Sequence, residues 1–194
     1  MIYILIGVVG FLVAYTFDWL SLKESSMAKQ LAGILAVGLL IYATVMVCLG
    51  PAEFDLPFFT LPLGACLLLI SFSLLIYSLF VEIPFRSTYL EKGAGSKLIT
   101  TGTYALARHP GVLWLGLFYL SLALLFPSTT LFLAVTAWLI MDIIYVIVQD
   151  KVFFPRMFPD YHDYQRRTPF LIPNRQSISA CLKTMNPRNR TRRM

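Results

Sequence analysis

Residues 112–148 read VLWLGLFYLSLALLFPSTTLFLAVTAWLIMDIIYVIV, which is two apolar runs separated by Pro127 and Ser128. About 20 mostly apolar residues in a helix are enough to cross the roughly 30 Å hydrocarbon layer of a bilayer. Proline interrupts a helix because it lacks a backbone N–H and its ring clashes with the preceding turn. The segment therefore predicts a tight hairpin of two membrane helices, 112–126 and 130–148, of which the first is short.

Three further apolar runs, at 2–20, 31–49 and 58–81, precede this hairpin. The chain is 58% hydrophobic and 13% charged, whereas about a quarter of the residues in a soluble domain are charged. We therefore predict an all-α integral membrane bundle of five transmembrane helices. The first run has no basic segment before it, so we interpret it as a retained span rather than a signal peptide.

Basic residues are concentrated in particular connections. The 21–30 loop has two Lys, the 50–57 loop has neither Lys nor Arg, and the 82–110 loop has four Lys and Arg. Eight more follow residue 164, with no acid among them. Because cytoplasmic loops of membrane proteins are enriched in Lys and Arg, we expect the amino terminus outside and the carboxyl terminus in the cytoplasm. The membrane explains these charges, so a nucleic-acid partner is not indicated.

The three cysteines are unclustered and two of them lie in apolar runs, so neither a disulfide framework nor a metal site is indicated. The 82–110 loop is long enough to suggest a functional role. It contains a Gly-Ala-Gly-Ser turn at 93–96, and it ends in Arg108-His109-Pro110 directly before a span. Arginine can hold a carboxylate or phosphate through two parallel hydrogen bonds, and a helix amino terminus favours the same anion. The alternative is that Arg108 only sets the topology and His109 is an interfacial residue.

Asp142 lies inside the fifth predicted span, where an ionisable side chain costs about 2.5–3.5 kcal/mol to insert. Tyr145 and Gln149 follow at helical spacing, so the three side chains share one face and are expected to line a polar cleft leading to Asp150. The alternative is a structural hydrogen bond between helices. Glu82, at the end of a span, is explained by solvation or by pairing four residues on with an arginine.

The segment after the fifth span, residues 158–173, reads FPDYHDYQRRTPFLIP. Residues 159–167 predict a short helix, with acids near its start and arginines near its end that match the helix dipole. Beyond it, the basic tail has little apolar content and is expected to be flexible. The chain thus divides into three amino-terminal spans over 1–81, a core over 82–173 and a tail over 174–194.

Residues 98–110, LITTGTYALARHP, resemble the signature of the isoprenylcysteine carboxyl methyltransferase and phospholipid methyltransferase superfamily. The resemblance covers roughly residues 84 to 173. A second block echoes that family's acidic pair, paired tyrosines, basic residues and apolar-Pro ending: Asp150, Phe158-Pro159, Tyr161, Tyr164, Arg166-Arg167 and 170–173.

The resemblance implies transfer of a methyl group from S-adenosylmethionine, which enters from the cytosol, to a lipid or other lipophilic acceptor from the bilayer. It places the cofactor site between the 82–110 loop and the carboxyl-terminal segment. The cofactor-binding residues it implies are Tyr104, Arg108, His109, Pro110, Asp150, Tyr161 and Tyr164. We expect catalytic roles for Arg108, Tyr145 and Asp150. We expect acceptor contacts from Trp114, Asp142, Tyr145 and Gln149. Arg108, His109, Asp142, Tyr145 and Asp150 should then converge on one cavity.

The sequence departs from the family pattern at several positions. Val112 and Trp114 replace a tyrosine and a small residue, and the acidic pair is reduced to Gln149-Asp150. An upstream arginine is also missing, which favours a neutral or amine acceptor over a prenylated cysteine carboxylate. The rival interpretation is a non-catalytic accessory or scaffold protein that retains the fold. A transporter is less favoured, since no repeats are visible.

Overall fold

The computed structural model describes residues 1–23, 26–84, 86–90 and 98–185. Within these ranges the chain forms nine α-helices and no strand. The predicted turn at 93–96 lies outside the described residues. The helices are α1 (Ile2–Leu22), α2 (Ser26–Cys48), α3 (Thr60–Ile76), α4 (Thr103–Leu106), α5 (Pro110–Leu125), α6 (Thr129–Val148), α7 (Phe154–Met157), α8 (Tyr161–Arg167) and α9 (Arg175–Met185).

The predicted hairpin forms at Pro127 and Ser128, between α5 and α6. The Ser128 side chain caps α6 by accepting a hydrogen bond from the Leu131 N–H at 3.2 Å. The turn is also tied to the loop before α3, because the Glu53 N–H donates to Pro127 O at 2.8 Å and the Glu53 carboxylate accepts from the Thr129 N–H at 2.9 Å. Proline and a serine cap thus separate two apolar runs into antiparallel helices.

Four helical stretches are long and apolar enough to cross a bilayer: Ile2–Leu22, Met27–Cys48, Thr60–Glu82 and Thr129–Met157. Large apolar side chains on them are exposed, including Ile34 at 71% and Leu69 at 70%. Such surfaces are stable in lipid rather than in water, so the chain is an integral membrane protein. Helix α5, with 16 residues, is shorter. The count of five spans therefore remains a prediction.

Helix α1 packs against both α2 and α6, and α5 packs against both α6 and α3. Trp138 of α6 is fully buried at the centre of this arrangement, and its Nε1 donates to Ile4 O at 3.1 Å. Gly7 allows this contact, since a Cβ there would lie 2.2 Å from Trp138 Nε1. The buried core consists of Ile4, Phe11, Ala43, Val47, Tyr119, Leu122, Ala123, Leu131, Ala134 and Trp138.

Three π-helical segments extend or follow the long helices, at Tyr77–Glu82, Arg86–Leu90 and Gln149–Phe153. Widened turns of this kind are rare and often occur at functional sites. The first continues α3 and ends at Glu82, and the third continues α6 and includes Asp150. Both acids are buried, at 8% and 5% exposure. The π-helical segments that follow α3 and α6 thus each contain a buried carboxylate.

The carboxyl-terminal region contains the predicted short helix, α8, and then α9. Helix α9 differs from the expectation of a flexible tail from residue 174. Ser177 and Cys181 are buried, α9 packs against α4, and Thr184 Oγ1 accepts a hydrogen bond from the Gly102 N–H at 2.9 Å. The spacing of 177, 181 and 184 matches one helix face. Hydropathy does not detect this face, because the segment is mostly polar. Residues 186–194 of the predicted tail lie outside the described residues.

Candidate functional site

Asp150 is the centre of the largest polar network at this end of the helices. Its Oδ1 accepts from Arg108 Nε at 2.7 Å and from the Tyr161 hydroxyl at 2.6 Å. Its Oδ2 accepts from Arg108 Nη2 at 3.0 Å and from Gln165 Nε2 at 3.1 Å. A carboxylate has about four lone-pair sites for hydrogen bonds. The hydrogen-bonding capacity of Asp150 is therefore used by the protein itself.

Arg108 reaches this carboxylate from the segment between α4 and α5. Its Nη1 donates to Thr168 O at 2.7 Å and to Gln165 O at 3.1 Å, and its backbone N–H donates to Pro169 O at 2.9 Å. Burial alone would lower the pKa of Arg108, but the hydrogen bonds and negative charge of Asp150 raise it above its usual value. The ion pair therefore fixes the Arg-His-Pro segment to the segment that follows α6.

His109 lies beside the ion pair and is 6% exposed. Its ring stacks on Phe154, with centroids 5.6 Å apart, and meets the edge of Phe170 at 5.3 Å. Burial lowers the pKa of His109, which favours the neutral ring at pH 7. His109 Nε2 approaches Asp150 Oδ1 to 3.4 Å, but the geometry is poor and this nitrogen has no hydrogen-bond partner among the described residues. It is thus a buried polar atom whose hydrogen-bonding position is unused among the described residues.

Three tyrosines surround this network. The Tyr164 hydroxyl donates to Tyr104 O at 2.6 Å, and the Tyr104 hydroxyl donates to Ser78 O at 3.2 Å. The Tyr161 and Tyr164 rings meet edge to face at 5.8 Å. Burial raises the pKa of all three phenols, and the hydrogen bond to Asp150 raises that of Tyr161 further. All three are therefore neutral hydrogen-bond donors.

Glu82 is a member of this region to which the sequence analysis assigned no functional role. Its two carboxylate oxygens accept from the Thr103 N–H at 2.9 and 3.1 Å, and Oε2 also accepts from the Thr103 hydroxyl. Gly102 has φ 64°, and a Cβ there would lie 1.7 Å from Glu82 Oε1. The expectation of a solvated Glu82 is thus wrong. The carboxylate instead anchors the first turn of α4, with glycine required beside it.

A cavity of about 760 Å³ opens beside this network, between residues 98–105, residues 157–168 and α9. Ligand pockets commonly have volumes of about 300–1,000 Å³. Tyr164 lines the cavity, whereas Arg108, His109 and Asp150 do not. The lining residues are Leu98, Thr100, Thr101, Ala105, Met157, Phe158, Pro159, Asp160, Asp163, Tyr164, Arg167, Thr168, Gln176, Ser177, Ala180 and Thr184.

Tyr145 and Gln149 belong to a different polar group, on the side of α6 that meets α1. Gln149 Nε2 donates to Asp18 Oδ2 at 2.8 Å, and the Tyr145 ring meets Tyr15 edge to face at 5.0 Å. Asp18 is 4% exposed. Tyr145 thus lies apart from the Arg108–Asp150 pair, and the residues expected to converge on one cavity do not all come together. The contact of Gln149 with α1 matches the alternative of a hydrogen bond between helices.

Asp142 and Trp114 differ from the rest of the predicted acceptor set, since each has a buried polar atom without a partner. Asp142 Oδ2 and Trp114 Nε1 make no hydrogen bond within the part of the chain that the structure describes. Such atoms are rare in folded proteins because burying them unpaired costs about 1–3 kcal/mol. His109 Nε2 is a third such atom among the residues that the structure describes.

The profile of the phospholipid methyltransferase family matches residues 59–160, more than half of the 194 residues. The match runs from the start of α3 to just before α8, so it contains Arg108-His109-Pro110 and Asp150 but ends before Tyr161. Comparisons with curated proteins and with solved structures gave no match. The resemblance inferred from the two sequence blocks is thereby confirmed: this chain belongs to the phospholipid methyltransferase family, within the superfamily that includes the isoprenylcysteine carboxyl methyltransferases.

Proposed function

We propose that this protein transfers a methyl group from S-adenosylmethionine to a lipid or other hydrophobic acceptor. The transfer takes place at the cytosolic face of a five-span bundle whose carboxyl terminus is in the cytoplasm. The partly buried Arg108–Asp150 ion pair carries this proposal. It fixes together the two blocks that carry the family resemblance, at the same end of the helices as a cavity of suitable size.

The cavity between 98–105, 157–168 and α9 is the proposed cofactor site. S-adenosylmethionine carries a carboxylate, an ammonium, ribose hydroxyls and an adenine. Arg167 can bind the carboxylate, Asp160 and Asp163 can bind the ammonium or the ribose, and the Tyr164 ring can pack against the adenine. All four residues line the cavity. Their chemical types and arrangement around one space support this assignment.

Arg108 and Asp150 then have positioning roles. Each already makes several hydrogen bonds within the protein, so neither side chain has much capacity left for the cofactor. The ion pair instead holds His109 and the start of α5 in place. His109 Nε2 is the member of this group with an unused hydrogen-bonding position. Because His109 does not line the cavity, we assign it a contact with the acceptor rather than with the cofactor.

Methyl transfer from a sulfonium depends mainly on alignment of the acceptor atom with the methyl group at close range. The bond from methyl carbon to sulfur breaks as the bond to the acceptor forms, and the electron pair remains on sulfur. The protein contributes by orienting the two reactants and excluding water. A rigid ion pair next to buried aromatic rings suits that task.

The acceptor is proposed to lie along α5 and α6, near Trp114 and Asp142. These helices are antiparallel neighbours, and a Cβ on Gly116 would lie 3.9 Å from Leu139 Cδ2. Trp114, two residues before Gly116, is thus level with residue 141, next to Asp142. Each of the two offers a buried polar atom without a partner, and we assign these atoms to polar groups of the lipophilic acceptor. Tyr145 and Gln149, held against α1, position this face of α6.

A non-catalytic accessory role is the second candidate. One observation favours it. Asp150, which takes the place of the family's acidic pair, already uses its hydrogen-bonding capacity within the protein. This candidate predicts a folded protein without affinity for S-adenosylmethionine.

Calorimetric titration of detergent-purified protein with S-adenosylmethionine tests the proposal. We expect micromolar binding that weakens at least tenfold in Thr101→Trp, because the exposed Thr101 lines the cavity and the indole would occupy part of it. Phe58 lies just before the amino end of α3, far from the cavity. Phe58→Trp adds the same side chain there, and this variant should bind S-adenosylmethionine normally. Absence of binding by folded wild-type protein would favour the accessory role.

A further inference from the structure

Helix α9 has two neighbouring faces with different surroundings. Ser177, Cys181 and Thr184 face the protein, where Ser177 and Cys181 are buried. At about 100° per residue, a second set falls within an arc of roughly 60° on the adjacent face. This set is Ile178, Leu182 and Met185, which are 45%, 67% and 46% exposed. No part of the chain that the structure describes covers this apolar stripe of α9.

The position of α9 relates this stripe to the membrane. Helix α9 packs against α4, which ends four residues before the apolar helix α5 begins. Ile172, just before α9, is a further large apolar residue with 84% exposure. The stripe therefore lies at the end of the bundle where the apolar helices meet the polar segments, which is the level of a bilayer surface.

The charge of the segment indicates which kind of surface covers the stripe. Arg175 lies about 50° from the middle of the stripe on the helical wheel. Eight Lys and Arg and no acid occur between residue 164 and the end of the chain. A helix with an apolar face and flanking cations binds at the headgroup boundary of anionic membranes. A neutral protein surface could bury the apolar stripe, but it would provide no negative charges to pair with the excess of Lys and Arg.

We propose that α9 lies in the membrane interface, with Ile178, Leu182 and Met185 inserted among lipids and the basic residues on anionic headgroups. This interaction does not depend on the proposed methyl transfer, because it rests only on the exposure of the α9 stripe and on the basic composition of the chain after residue 164. Its occupant is the bilayer that surrounds the protein. A second copy of the chain or another protein on the stripe are the competing occupants.

Hydrogen exchange of the full chain in nanodiscs tests this proposal. The nanodiscs hold one copy of the protein and contain either phosphatidylcholine alone or phosphatidylcholine with phosphatidylglycerol. We expect the amides of residues 175–185 to exchange about tenfold more slowly with the anionic lipid. Single occupancy and purified components exclude a second copy and other proteins as the cause.

Two variants with the same change of charge sharpen the test. Leu182→Glu places an acid on the stripe and should abolish the slowing by anionic lipid. Gln176→Glu places an acid at an exposed position about 120° from Leu182 on the helical wheel. Residues 175–185 of this variant should still exchange more slowly with the anionic lipid. Equal exchange of residues 175–185 of the wild-type protein in the two kinds of nanodisc would overturn the proposal.

Discussion

The two buried carboxylates near the end of α6 have contrasting environments. Asp150 pairs with the half-buried Arg108, which precedes α5, and accepts hydrogen bonds from two further donors in α8. Asp18 of α1 meets the neutral amide of Gln149. The first group connects segments that are distant in the chain through a charge pair, and the second connects two membrane helices through neutral donors. The first therefore organises the candidate site, and the second fixes the helices that support it.

The largest expected effect is that of breaking the ion pair. Arg108→Ala would leave Asp150 buried without its cation, at a cost of about 3–5 kcal/mol. We expect a large fall in the thermal unfolding temperature of detergent-purified protein. The double variant Arg108→Leu/Asp150→Leu removes both charges. Its loss of stability should therefore be smaller than the sum of the losses in Arg108→Leu and Asp150→Leu. Additive losses would show that the pair is not coupled.

Gly102 is expected to have the next largest effect. Gly102→Ala combines a positive φ with a Cβ placed against the Glu82 carboxylate, which should cost about 1–3 kcal/mol. Gly38→Ala is the matched control, because no atom lies within 4 Å of its added Cβ and alanine favours a helix. Unfolding temperatures that fall equally in both variants would contradict the assigned role of Glu82.

The Asp18 group should tolerate substitution better than the ion pair. Gln149→Leu removes one neutral hydrogen bond to a buried carboxylate, so we expect a loss of about 1–3 kcal/mol. The same thermal unfolding assay would measure it beside Arg108→Ala. If Gln149→Leu is as damaging as Arg108→Ala, the contrast between the charged and neutral groups is wrong.

The smallest expected effect is a pH dependence from His109. Burial lowers the pKa of this ring in the fold, whereas an unfolded histidine has a pKa of about 6.5. Below that pH the unfolded chain takes up a proton more readily, so the stability of wild-type protein should fall as the pH decreases. His109→Gln should reduce this slope between pH 7 and pH 5 in thermal unfolding. An identical slope would remove His109 as its cause.

Local patterns predicted much of the fold. Five apolar runs each form a helix, proline and serine separate α5 from α6, and dipole-matched charges mark α8. The Arg-His-Pro segment and Asp150 were both identified from the two blocks, and the structure places them in direct contact.

Long-range pairings were not predictable in the same way. Hydropathy does not indicate which helix packs on the polar face of α6, so Asp18 was missed as the partner of Gln149. The contact of Glu82 with Thr103 joins residues 21 positions apart across the loop, and no local pattern indicates which residues on the two sides of a loop meet. The faces of α9 were obscured because its apolar residues are few and interspersed with polar ones.

The central claim is that the Arg108–Asp150 pair organises a site for S-adenosylmethionine. The most direct test is a calorimetric titration of the cofactor into the wild-type protein and into Asp150→Asn, with Asp55→Asn in the 50–57 loop as the control for loss of one acid. We predict micromolar binding by the wild type and by Asp55→Asn, and at least tenfold weaker binding by Asp150→Asn. Equal affinities in all three proteins, or no binding by folded wild-type protein, would contradict the claim.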